Sequence, residues 1–143
     1  MAYAEMIAKI QSDWESSIGA TYPTMYQNED EQDFVKPNNG IWIRLTIKPA
    51  NSLTTAVGNK VEYDMPIVVI AQVFSPRFSK IANANAVVKL VHDRYAYEDL
   101  VVGDAEGTVV KFKGVSVADV GTGTSRGIYQ ININTSAEVS FFK

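Results

Sequence analysis

His92, in the run VHDRY, is the only histidine of the chain, and Asp93 beside it supplies the residue type that orients a general base. The spacing works against that pairing, because neighbouring positions on a helix diverge by about 100°. His92 therefore reads as a helix-surface residue. One histidine and no cysteine leave no two-imidazole zinc site, no thiolate and no disulfide. The acids Glu29, Asp30, Glu31 and Asp33 have the charge for calcium but not the D-x-D-x-D-G order closed by a bidentate Glu. They read as a solvated loop, or as a surface for a basic partner or a negatively lined channel. GTGTSRG is glycine-rich like a phosphate loop, yet it lacks the Lys-Ser/Thr pair and leads into a strand. Its reading is a hairpin tip. Glu98 with Asp99 and Asp104 with Glu106 are paired carboxylates without a surrounding motif that assigns acid and base roles. No enzyme signature emerges, and no cofactor or metal is implied.

Trp42 raises a different kind of chemistry. It alternates with Ile41, Ile43 and Leu45, so it lies on the opposite side of a strand from them, next to Arg44. Either another layer covers it or it is exposed, and an exposed Trp beside an Arg has the composition of an interface anchor. Lys111 and Lys113, in KFK, share one strand face and read as solvated.

The elements that must position these residues follow from periodicity. At 143 residues, with 46% hydrophobic and 20% charged residues, the chain fits one domain with a real core. A formal charge of −3 gives no general attraction to nucleic acid. The opening MAYAEMIAKIQSDWESS carries Glu5 and Asp13 and lacks a continuous apolar run, so it reads as neither signal peptide nor membrane span, and synthesis in the cytosol is expected. Ala4, Ile7, Ile10, Trp14 and Ile18 predict an amphipathic helix ending near Ile18, with Gly19 as a left-handed cap before Pro23. YPTMYQ reads as a short extended segment, and NEDEQDFVKPNNG as a loop. Ile41 to Lys48 alternates as a strand with its odd positions buried, closed by Pro49, and PANSLTTAVGNK reads as a polar connection.

From Val61 another strand begins, and over MPIVVIAQVF both of its faces become apolar, which predicts a central strand covered on both sides. Ser79 caps a second helix in this reading, with Ile81, Ala84, Val88, Val91 and Tyr95 as its stripe, widened by Val87 and Leu90. Asn83 and Asn85 lie off the stripe and weaken the helix locally. After GDAEG come the strand TVVKFKGVSV, a turn at DVGTGTSRG and a last strand, IYQININTSAEVSFF, dry on one face and wet on the other. Strands in adjacent pairs favour an α+β fold with a mixed, mostly antiparallel sheet and two helices packed on one face.

The order of these segments resembles the tail terminator family of lambda-like long-tailed bacteriophages, over nearly the whole chain. The likeness rests on MYQNEDEQDF leading into IWIRLTIKPA, the strand ending AQVFSP, the helix entered at FSKIANANAVVKLVHDRY, and GIYQININTSAEVSF. It departs at Arg77 and Phe78, where members often carry Gly. The resemblance implies a virion protein that acts without catalysis or cofactor. It would form a ring, commonly a hexamer, on the head-proximal end of the tail, stopping polymerisation of the tube and offering a surface for head joining. The implied partners are its own copies, the major tail tube protein and a head-completion or connector protein, with DNA passing through the lumen unread and no membrane involved. Within that arrangement the loops 28–39, 51–60 and 121–127 would carry tube or head contacts. Glu29, Asp30, Glu31, Asp33, Lys60 and Arg126, with Trp42 and Arg44, are the candidate interface residues, and the acids would alternatively face the lumen. Another head-tail joining protein, or a small-ligand-binding α+β domain, is the alternative.

Overall fold

Met6, Ile10 and Trp14 recur at four-residue steps, and all three are buried, as is Ile18 beyond them. Helix α1 (Ala2–Ser16) is built on that row. In the computed structural model, which describes residues 2–27, 40–49, 53–56, 62–76, 81–103, 107–121 and 128–142, Ala4 is exposed and Ile7 half-buried. The stripe expected through those two is thus displaced. At about 100° per residue, Met6 stands about 40° from Ile10, whereas Ala4 stands about 120° away and reaches no core.

Gly19 does not take the left-handed conformation expected of a cap; the positive-φ glycines among the described residues are Gly103 and Gly107. Its role is clearance. The Gly19 amide donates to the Trp14 carbonyl at 2.7 Å, and a Cβ on Gly19 would stand 2.8 Å from the Glu15 Cα and 3.2 Å from the Trp14 oxygen. Those atoms are backbone and cannot step aside cheaply. Gly19→Ala is expected to cost about 1–2 kcal/mol by shifting the turn that leaves α1, read as a lower urea midpoint at unchanged slope.

Seven strands form one sheet. They are β1 (Thr24–Tyr26), β2 (Trp42–Pro49), β3 (Leu53–Ala56), β4 (Glu62–Pro76), β5 (Asp99–Val101), β6 (Val109–Gly121) and β7 (Ile128–Phe142), with helix α2 (Ile81–Tyr95) between β4 and β5. The order is β1-β2-β4-β7-β6-β5, with β3 also on β4. β1 runs parallel to β2 and every other pair is antiparallel. The fold is α+β with a mixed, mostly antiparallel sheet, as the segment order predicts. Two strands were not expected: β3 lies inside the polar connection PANSLTTAVGNK, and β5 follows α2 directly. Both are short, at 4 and 3 residues, and too brief for alternation to declare itself.

β4 occupies the centre, paired with β2 on one side and over its whole length with β7 on the other. Its odd residues Met65, Ile67, Val69, Ala71 and Val73 are buried, and they join the inward residues of β2, β6 and β7 and the buried residues of both helices in one core. The expectation that MPIVVIAQVF is covered on both sides is corrected on its even face. There Val68, Ile70, Gln72 and Phe74 are half-buried and Pro66 is exposed. Neighbouring side chains screen that face in part.

In α2 the buried row is Ala84, Val87, Val91 and Tyr95. Val88 is half-buried and Leu90 is 40% exposed, so Leu90 does not widen the stripe as expected. Tyr97, with φ 58, takes the left-handed position after the helix that a glycine often fills. The proposed cap Ser79 lies outside the described residues, as do Arg77 and Phe78.

Candidate functional site

The residues singled out for their chemistry stand far apart in the fold. His92 is exposed on α2, and its Nδ1 stands 3.9 Å from an Asp93 carboxylate oxygen, beyond hydrogen-bond reach. Asp93 is instead engaged by Lys89 at 2.6 Å, one turn back along the helix, and that hydrogen bond is the main reason its carboxyl sits below the ordinary Asp value. Lys111 and Lys113 are exposed, as expected, and Lys113 reaches Glu138 on β7 at 3.3 Å. Glu98 and Asp99 are exposed beside β6. Glu29, Asp30, Glu31, Asp33, Lys60, Asp104, Glu106 and Arg126 lie outside the described residues, as does most of GTGTSRG. Among the described residues no group of three His, Cys, Asp or Glu side chains could hold a metal ion, and no helix is long and apolar enough to cross a membrane.

One polar cluster has no counterpart among those residues. Asp13, near the end of α1, accepts hydrogen bonds from Arg94 Nη2 at 2.6 Å, Arg94 Nε at 3.2 Å and the Tyr95 hydroxyl at 2.8 Å. The two ends of the cluster are 81 residues apart, so no local pattern announces it. It borders a surface depression that Glu98, Asp99 and Phe112 complete. Partial burial by itself would raise the Asp13 pKa, but the hydrogen bonds from Arg94 and Tyr95, with the charge of Arg94, outweigh it and hold the carboxyl below its usual value. Burial, and then the carboxylate of Asp13, push the Tyr95 hydroxyl well above the ordinary tyrosine value. The arrangement clamps two helices together.

A carboxyl whose folded pKa is depressed adds stability that is present above its unfolded value, about 3.9, and that is lost as pH falls through the folded value. For Tyr95 the sign reverses with the shift. Its neutral form stabilises the fold fully below about pH 10, and that contribution fades as pH rises toward the folded value. Asp13→Asn is expected to cost about 1–2 kcal/mol at pH 7, the lower part of the charged-bond range because Arg94 is half exposed. It should also flatten the decline in stability as pH falls below about 5. Urea unfolding across that range checks both.

On the outer face of the sheet, Trp42 is buried, with 6% of its surface exposed. Its ring stacks on Phe74 of β4, with centroids 4.3 Å apart, and the Arg44 guanidinium lies 6.0 Å from the centroid of the same Phe74 ring. Of the two readings left open for Trp42, burial within one copy is the one observed. Register explains the contact, since Trp42 stands opposite Phe74, Arg44 opposite Gln72, Thr46 opposite Ile70 and Lys48 opposite Val68. On its other side β4 meets Gln130, Asn132, Asn134 and Ser136 of β7. The outer apolar residues therefore run along β4, interrupted by Gln72 and joined at one end by Trp42 of β2. A row of amides and a hydroxyl flanks them, and Gln130 Nε2 donates to Asn132 Oδ1 at 3.0 Å.

No family model and no curated protein matches this chain. Among solved structures there are similar chains, and one that carries no functional name superposes with a TM-score of 0.70 at 21% identity. That likeness covers 100% of this chain and 99% of its counterpart. It is a likeness of fold, extending from end to end of both chains.

Proposed function

We propose that this chain is a structural subunit whose activity is assembly: a tail terminator that closes into a ring on a phage tail tube, halts its growth and presents a surface for the head. The resemblance in segment order motivates the reading. The observation that carries it is the sheet's outer face, where Val68, Ile70 and Phe74 are only half-buried along the central strand, framed by Thr46 and Lys48 on one side and by Gln130 to Ser136 on the other. Such a face, apolar in the middle and polar at its borders, has the anatomy of a contact surface.

A ring needs two different patches of one molecule to meet across a rotation that closes. Termination then follows if the ring matches the tube below it and offers a different surface above it. Light scattering and negative-stain microscopy of the purified chain, alone and mixed with tail tubes, test the proposal. Annular particles that bind tube ends are expected, and a chain that stays monomeric in both conditions overturns it.

A further inference from the structure

β6 is 13 residues long, yet β5 pairs with only Val109 to Lys111 of it, and among the described residues the last backbone bond on that side runs from the Tyr97 amide to the Lys113 carbonyl. Past the irregularity between Phe112 and Val115, β6 continues against β7 to Gly121, and among the described residues no strand lies on its other side there. Exposure shows the edge open on both faces. Ser116 and Ala118, on the outer face of the sheet, and Val117, on the helix face, are all exposed. Val117 stands opposite Ile133 of the core, yet it is 48% exposed, because α2 covers it only in part. A shallow groove remains between Val117 and Val88 of α2, rimmed by Lys89, His92 and Asp93. An open strand edge beside an apolar seat is a template for another strand. The devices that blunt such an edge are missing from Val115 to Ala118, which holds neither a Pro nor a charged residue.

A second copy of the chain brings the matching edge with it. A strand edge pairs with the same edge of another molecule in one way, antiparallel about a two-fold axis, and that contact needs no other margin of the sheet to be open. Charge selects the register. Centred on Val117, the pairing sets Val117 against its own counterpart and Ser116 against Ala118, while Asp119 falls opposite Val115 and Lys113 opposite Gly121. Centred on Asp119 or on Lys113, it would set like charges face to face, which is unfavourable. The same axis brings the two grooves together on the helix side of the sheet. The two copies of α2 run antiparallel there, and Lys89 and Asp93 lie one turn apart on the exposed side of that helix, so Lys89 of each copy can stand against Asp93 of the other. Val117 and Val88 are then covered by both copies.

We infer that residues 115–119 of β6 pair with the same residues of a second copy, so that two sheets join into one and the two α2 helices meet across the junction. This goes beyond the ring reading and does not depend on it, since the outer face of β4 that carries that reading stays open when the β6 edge is paired.

The chain has no cysteine, so a single one reports on the axis. In the full chain, Val117→Cys puts two thiols opposite each other, within the Cα separation of about 4.4–6.8 Å that a disulfide spans. Ala4→Cys, exposed on α1, measures chance collision. Mild oxidation is expected to convert most of the Val117→Cys chain to a covalent dimer and to leave Ala4→Cys monomeric. By light scattering the unmodified chain should have the mass of an even number of copies, and Val117→Lys should halve that mass with an unchanged circular dichroism spectrum. No excess of covalent dimer over the Ala4→Cys control, or a mass that Val117→Lys leaves unchanged, overturns the inference, and annular particles seen alongside that result keep the ring reading. A covalent dimer through position 117 in a chain that makes no annular particle, alone or with tail tubes, removes the ring reading and leaves this contact in place.

Discussion

Trp14→Ala lowers the unfolding free energy by about 3–5 kcal/mol, the range for deleting a buried indole. In a chain of this length that moves the thermal midpoint down by about 10 °C or more. The residue is 1% exposed and joins three parts of the molecule. Its ring stacks on Tyr95 of α2 with centroids 6.0 Å apart, and its Nε1 donates to the Thr24 hydroxyl of β1 at 3.0 Å. Truncation opens a cavity between the helices and leaves the buried Thr24 hydroxyl without its indole partner. Trp14→Phe separates the two effects in part, since it keeps most of the aromatic volume and loses the donor. It should recover more than half of the loss, and a thermal midpoint for Trp14→Ala within a few degrees of the unmodified chain would contradict the packing described.

Trp42→Ala is expected to destabilise the isolated chain by about 3 kcal/mol, on the lower side of the range because the outer face beside it is only partly covered. An interface residue would behave otherwise, with the monomer unharmed and only assembly lost. Burial at 6% and the stack on Phe74 decide between these outcomes. Urea unfolding under dilute conditions checks it: a midpoint equal to that of the unmodified chain would contradict a packing role for Trp42. Phe74→Leu should lose part of the same stabilisation, and the two substitutions should be less than additive because their rings touch.

Elements with several periods were legible in the sequence. Both helices, β2, β4, β6 and β7 declare themselves through alternation or three-four spacing, and the central place of β4 follows from the apolar character of both its faces. What escaped had a physical reason in each case. β3 and β5 are too short for periodicity, and their pairing with β4 and β6 is settled by their neighbours. Gly19 suggested a dihedral need, whereas the need is space beside Glu15, which only packing reveals. Leu90 fits a helical stripe on paper and faces solvent, because the buried row through Val87 and Val91 already fills the contact. At the candidate site, alternation put Trp42 on the correct face, but whether anything would cover it depended on Phe74 in another strand. The Asp13, Arg94 and Tyr95 cluster depends on two helix ends meeting, a long-range event without local trace.

The pairing of β4 with β7 has a kinetic side. These two strands, each 15 residues long, zip along their entire length although α2, β5 and β6 separate them in the chain. Their alignment therefore has to wait until a long intervening stretch has been gathered in, and the loop-closure entropy is spent before most of the ladder can repay it. Folding of such a topology is slower than that of a domain built on local contacts, and until the zip completes, an apolar strand with two sticky margins is on view to every other nascent copy. The chain thus has to finish its own sheet before that strand is shielded from other copies.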